Sequence, residues 1–147
     1  MWKSMVTVVV VLMIMAEMVI VPVQCEEENN VGVDGLIGEK KTVLVKNDVD
    51  SGVTLYLHCR SADDDLGEQV LPLGHQQVWS FRDNIFRTTR FTCSLKANNL
   101  EYDFEVYDAK KDDICTSECW RSLREDGAYF WNQPLQLFEK RVSWSIQ

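Results

Sequence analysis

LHCRSADDDLG, residues 57–67, decides how the chain is read. It closes an alternating apolar run with a cysteine, then sets three consecutive aspartates before a glycine. His58, Cys59 and the carboxylates suggest a metal site or an acid cluster; the third reading is the turn after a disulfide-anchored strand. Calcium loops of the EF-hand type alternate their acidic ligands and fix a glycine and a glutamate at set positions. Here the aspartates are adjacent, so their side chains diverge. Aspartate side chains accept backbone amide hydrogen bonds in turns, and glycine tolerates positive φ. The segment is therefore expected to be structural, with residues 63–67 turning the chain.

The residues before it set the fold class. In VTLYLHC (53–59), Val53, Leu55, Leu57 and Cys59 alternate against Thr54, Tyr56 and His58. The same period of two recurs in KTVLVKN (41–47), QVWSF (77–81), RFTCSLKA (90–97), YDFEVYD (102–108), AYFWN (128–132) and KRVSWSIQ (140–147). Such alternation marks half-buried strands. There is no amphipathic helix of two or more turns, and a parallel α/β fold would need crossover helices. Short strands separated by LPLGHQ, KANNLE and REDGAY predict an all-β fold, an antiparallel sandwich or barrel.

The N-terminus predicts secretion. One lysine, Lys3, precedes an apolar run from Met5 to Val23 broken by Thr7, Glu17 and Pro22, after which Glu26, Glu27 and Glu28 follow. That is the layout of a signal peptide. A membrane anchor is the rival reading, since the run approaches the roughly 20 residues that span a bilayer. Glu17, Pro22 and the absence of a basic stop-transfer cluster weigh against it. Residues 1–25 are read as signal peptide with cleavage after Cys25, residues 26–40 as a flexible acidic extension bearing Gly32, Gly35 and Gly38, and residues 41–147 as the folded domain. Removing Cys25 leaves Cys59, Cys93, Cys115 and Cys119, an even set suited to two disulfides in an oxidising compartment. Four cysteines allow three pairings. Strand phase turns Cys59 and Cys93 toward the core and favours Cys59–Cys93, which would leave Cys115–Cys119 as a tight local loop.

Net charge is −8 and survives cleavage, because Lys3 and Glu17 leave together. An acidic chain is poorly suited to nucleic acid or anionic membrane surfaces, which are bound through lysine and arginine. CTSEC has zinc-like cysteine spacing but no second ligand pair, with only His58 and His75 available. Hydrolase and zinc-peptidase motifs are missing, and His58 lies out of phase with the core-facing Cys59. No catalytic residue, metal or cofactor is expected. Trp79, Trp120, Trp131 and Trp144 could form a carbohydrate platform, although aromatics at strand spacing commonly pack in cores. The chain has no Asn-x-Ser/Thr sequon.

Val45 and Asn47, LYLHCRSADDDLG, LPLG, VWSFRDN, TTRFTCSL, FEVYDAK, the CxxxCW at Cys115–Trp120, and DGAYFWN occur in that order. From Thr42 to Ile146 the chain thereby resembles the plant self-incompatibility family, the S-protein homologues. The acidic, glycine-bearing stretch before Lys40 departs from the family pattern. The resemblance implies a small secreted β-sandwich with two disulfides and no known catalytic site. It also implies a ligand-like role, since founding members are stigma-expressed ligands recognised by a pollen receptor. A monomeric extracellular ligand for a membrane receptor is therefore expected, without nucleic-acid binding or insertion of the mature chain into a membrane. The alternatives are a defence-related or carbohydrate-binding module and, last, a secreted enzyme. Recognition surfaces of ligands lie in hydrophilic loops on rigid scaffolds. The candidate is YDAKKDDICT, where Asp108, Lys110, Lys111, Asp112 and Asp113 gather mixed charge before Cys115.

Overall fold

The computed structural model describes residues 38–147. The expected signal peptide, and residues 26–37 of the expected extension, lie outside the described residues. Among the described residues there are strands and no helix: β1 (Lys40–Asn47), β2 (Leu55–Arg60), β3 (Asp65–Leu71), β4 (Gln76–Arg82), β5 (Arg90–Ala97), β6 (Leu100–Asp108), β7 (Glu118–Arg124), β8 (Gly127–Asn132) and β9 (Leu137–Ser143). They form a five-stranded sheet, β4-β1-β7-β8-β9, and a four-stranded sheet, β3-β2-β5-β6. The two sheets share one apolar core, so the fold is the expected all-β sandwich.

Alternation places Val43 and Val45 of β1 opposite Leu55, Leu57 and Leu95 of the other sheet, all fully buried. Trp79 and Phe81 of β4 meet Phe91 of β5 with ring centroids 5.6 and 4.7 Å apart, and Phe81 meets Tyr107 edge-on at 4.9 Å. Every pairing is antiparallel except β1 with β7. A parallel neighbour needs a long connection, and here the whole excursion through the second sheet supplies it. Where β1 leaves the sheet, buried Asn47 donates to the carbonyls of Val53 and Leu71, both at 2.8 Å, and its Oδ1 accepts from the amide of Val49. One amide side chain thereby ties three segments together.

Two strands departed from simple alternation. β7 carries Arg121 on its inward face between Cys119 and Leu123, and a charged residue in the core phase hides the period. β3 is an edge strand exposed along nearly its whole length, so it has no apolar face to read. It corrects the expectation for residues 63–67. The turn is tighter and earlier: the Ser61 amide donates to the Asp64 carbonyl, and the Asp63 and Asp64 amides donate to Ser61 Oγ. Asp65 already pairs with Arg60, and the register then shifts before His58 pairs with Glu68. Gly67, at φ +70°, accommodates that bulge. Asp65 Oδ1 accepts from the Gly67 amide at 2.9 Å and contacts His58 Nε2 at 2.5 Å. At the C-terminus β9 ends at Ser143, yet Trp144 and Ile146 still pack against the core as their phase predicts.

The disulfides are Cys59–Cys93 and Cys115–Cys119. Cys59 and Cys93 are direct cross-strand partners on β2 and β5, with Cα atoms 4.0 Å apart, so this bridge lies on the core face of one sheet. Cys115–Cys119 closes the loop entering β7. In the chain-entropy model the longer loop contributes roughly 4 kcal/mol and the shorter about 2. Thermal denaturation should therefore show C59A/C93A melting well below C115A/C119A, and equal losses would refute the loop-length account.

Candidate recognition surface

Two connections meet at one end of the sandwich: residues 83–89 between β4 and β5, and residues 109–117 between β6 and β7. The second begins with an irregularity. Phe91 pairs with Tyr107 while Thr92 pairs with Glu105, so Val106 is bulged out of the ladder. A bulge re-aims the side chains that follow, and Tyr107 and Asp108 both turn inward as a result.

Asp108 is buried and organises the turn. Its Oδ1 accepts from the Lys110 amide at 2.8 Å, and its Oδ2 lies 3.1 Å from Arg90 Nη2 and 3.5 Å from Lys111 Nζ. Burial would raise its pKa, but the Lys110 amide and the Arg90 and Lys111 cations prevail and hold it below the ordinary carboxylate value. Asp112 is buried too. Its Oδ2 accepts from the Asp108 amide at 2.7 Å, and its Oδ1 receives Arg121 Nη2 at 2.9 Å.

Arg121 is 1 % exposed, with Nε on the Val106 carbonyl at 2.8 Å, Nη1 on the Trp120 carbonyl at 3.2 Å, and its guanidinium 3.9 Å from the centre of the Phe130 ring. Burial lowers its pKa to about 10 against the attraction of Asp112 and Tyr107. Burial likewise raises Asp112, with Arg121 opposing. Beside this pair, the Tyr107 hydroxyl donates to both oxygens of buried Asp83, at 2.8 and 2.7 Å. Burial and the Asp83 carboxylate push the phenol well above its ordinary value of 10.0. Gly38 approaches the Asp83 carbonyl so closely that a Cβ would lie 2.1 Å from its oxygen, which leaves room only for glycine there.

The two loops are bolted together. Arg87 Nε and Nη2 both donate to the Ala109 carbonyl, at 3.1 and 2.7 Å, and Nη2 reaches Asp113 Oδ1 at 2.5 Å. Loop 83–89 is braced internally: Asn84 accepts the Thr88 amide on its side chain and the Arg87 amide on its carbonyl, and donates its own amide to Thr89 Oγ1. The disulfide loop is fixed from below, since the Lys41 ammonium bonds the Thr116 carbonyl and the Thr42 amide bonds the Ser117 carbonyl. Between these parts lies a concavity of about 760 Å³ lined by Lys41, Asp83, Arg87, Tyr107 and Asp112 among others.

The expected charged loop is thus divided. Lys110, Lys111 and Asp113 face solvent, whereas Asp108 and Asp112 are buried. Two of the five residues gathered as the candidate recognition loop therefore face inward: Asp108 follows the bulge, which sequence spacing does not reveal, and Asp112 pairs with Arg121. Two residues with exposure suited to a contact were missed: Ile85 at 50 % and Phe86 at 75 %. Their signal was present in DNIFRTT, where two bulky apolar residues stand among turn formers with no alternation to bury them. His58 lies in β2, out of phase with its core-facing residues, and Asp63 and Asp64 sit in the turn that Ser61 Oγ caps through their amides. Among the described residues no three His, Cys, Asp or Glu side chains converge as metal ligands.

Two outcomes follow from the buried groups. Removing one member of a buried ion pair strands the other, at about 3–5 kcal/mol, so R121A should destabilise strongly in urea titration, while R121A/D112A should recover part of the loss. For Tyr107 the native state holds the proton more tightly than the unfolded chain. Its stabilising contribution is complete below pH 10 and declines as pH rises past it. Y107F should therefore leave native tyrosinate absorbance near pH 10 unchanged, reduce that of the unfolded chain, and flatten the alkaline loss of stability.

A family model described as plant self-incompatibility protein S1 matches residues 42–144. Self-incompatibility protein S1 of Papaver rhoeas is 36% identical over 100 residues, covering 66% of this chain and 72% of that protein. S-protein homolog 29 of Arabidopsis thaliana is 36% identical over 106 residues, covering 72% and 78% respectively. A solved self-incompatibility protein homologue, from what is described as a widespread family of small, highly stable, secreted plant proteins, aligns at 21% identity with a TM-score of 0.49, covering 74% of this chain and 93% of that one.

Proposed function

The chain belongs to the plant self-incompatibility protein S1 family, and from that premise we propose that it is a secreted, non-catalytic protein ligand, acting as a monomer on a membrane receptor. The observation that carries this reading is the junction of loops 83–89 and 109–117. Phe86, Lys110, Lys111 and Asp113 are presented outward while Asp108, Asp112, Arg87 and Asn84 hold the backbone from behind. Binding to such a preformed surface loses little conformational entropy, and an aromatic anchor with a charged surround is the usual make-up of an interface hot spot.

Secretion accords with the leader-like residues 1–25 and with two disulfides, which persist in oxidising compartments. Among the described residues no helix is long and apolar enough to cross a membrane. The receptor contact is read as protein-to-protein, because the exposed charges on the loop are of both signs.

Saturable, protease-sensitive binding of the labelled protein to plant protoplasts tests the proposal. F86A and K110E/K111E should each reduce binding toward background, the first with an unchanged melting temperature and the second with a small drop, because Lys111 pairs with Glu105 and Asp108. D112K should instead lower the melting temperature, because its side chain is buried against Arg121. Full binding by both F86A and K110E/K111E would remove this surface from the function.

A further inference from the structure

The outer face of the five-stranded sheet carries a second constructed surface, on the side away from the core. Register places one apolar residue from each strand in a lateral row. Leu44 of β1 pairs with Val78 of β4 on one side and with Trp120 of β7 on the other. The register that pairs Arg121 with Phe130 carries Trp120 alongside Trp131 of β8, which pairs with Phe138 of β9. Trp131 and Phe138 meet edge to face at 5.1 Å. Beside the aromatic half of this row lies a groove of about 540 Å³, a volume ordinary for a small-ligand site.

The four tryptophans among the described residues therefore have two fates. Trp79 and Trp144 pack against the core, whereas Trp120 and Trp131 are half-buried walls of the outer groove. Both indole N–H groups of the outer pair are already engaged: Trp120 Nε1 donates to Glu118 Oε2 at 3.2 Å and Trp131 Nε1 to Gln133 Oε1 at 2.9 Å. These bonds fix the ring planes, so what the groove offers is aromatic surface. Its polar groups include Lys46 and Asp48, paired at 2.8 Å, with Ser122 donating to Asp48 at 2.6 Å, together with Glu118, Thr116, Ser117 and Gln133.

We infer that this groove binds a neutral glycan chain, with pyranose rings laid on Trp120 and Trp131 and hydroxyls bonded to Asp48, Lys46 and Glu118. The chemistry selects among occupants. A sugar ring has one apolar face for stacking and hydroxyls that both donate and accept, which matches carboxylates and an ammonium side by side. A proline-rich peptide offers mainly carbonyl acceptors and needs donors, yet the indole donors are spent inside the protein. A polyanionic glycan would meet Asp48 and Glu118 against Lys46, which is already paired with Asp48, and Arg121, which is buried and paired with Asp112. The inference stands independently of the receptor reading, since Thr116 and Ser117 of the second loop border the groove but Phe86, Lys110, Lys111 and Asp113 do not line it.

Tryptophan fluorescence of the folded protein, titrated with cellohexaose, laminarihexaose and mannohexaose, tests it. At least one should give saturable quenching. W120A and W131A should each weaken that binding by roughly tenfold, the scale of one lost stacking contact, with melting temperatures retained, and W120Y should keep most of it. K110E/K111E should bind the oligosaccharide as the unaltered protein does, so failure here and failure at the receptor are separable. Absence of binding to all three oligosaccharides would overturn the inference. So would binding only to polygalacturonate, to a polyproline peptide or to phosphatidylcholine vesicles, or a dimer that W120A and W131A dissociate.

Discussion

The ion pair between Arg121 and Asp112 is the contact on which the end of the sandwich formed by loops 83–89 and 109–117 depends. A guanidinium removed from water costs several kcal/mol unless its donors are matched, and here three of its nitrogens find acceptors while its plane covers Phe130. An aliphatic side chain could fill the same volume between the sheets. It could not bond the Val106 carbonyl, freed from regular pairing by the bulge, nor hold Asp112 in the position where that carboxylate caps the Asp108 amide. The charge in the core therefore serves geometry more than stability. It fixes the chain as it leaves β6, and everything from Ala109 to Cys115 follows from that direction.

From this anchor the organisation of the loops can be traced outward. Asp108 and Asp112 face in, so the residues between and beyond them must face out, and Lys110, Lys111 and Asp113 do so. Arg87 then crosses to the Ala109 carbonyl and Asp113, coupling the second loop to the first. Tyr107 and Asp83 make the same connection at depth. Phe86 owes its exposure to this bracing, because a loop free to collapse would bury a phenylalanine against the nearest apolar surface.

Periodicity made the central strands legible. β5 coincides with RFTCSLKA, and β1, β2, β4, β6 and β8 overlap their alternating segments closely, because the most buried side chains recur at alternate positions, in β6 as far as its bulge. Phase also favoured the Cys59–Cys93 pairing that the register realises. β3 and β7 were not legible for opposite reasons, one having almost no buried face and the other a cation in its core phase. The same limit applied to the site. Sequence could gather the charges of residues 108–113 but could not sort them, since the bulge at Val106 shifts phase by one residue and reverses which side chains are inside.

The tryptophans show the limit in a different form. Trp120 and Trp131 have the same spacing relative to their strands as core aromatics, and only the strand order decides their environment. β7 and β8 lie inside the five-stranded sheet with Cys119, Leu123, Ala128 and Phe130 already filling the core side. The adjoining positions must then face outward, whatever their residue type. The large aromatics held there stand outside the core cluster, Trp131 packing on Phe138 of the same face, whereas Trp79 and Trp144 pack against the core. Their indole hydrogens bonded to side chains on the same surface make the outward face a fixed plane, on the sheet whose inner side carries Cys119, Leu123, Ala128 and Phe130. One rigid core thus supports two surfaces of different chemistry, and substitutions at either need not disturb the other.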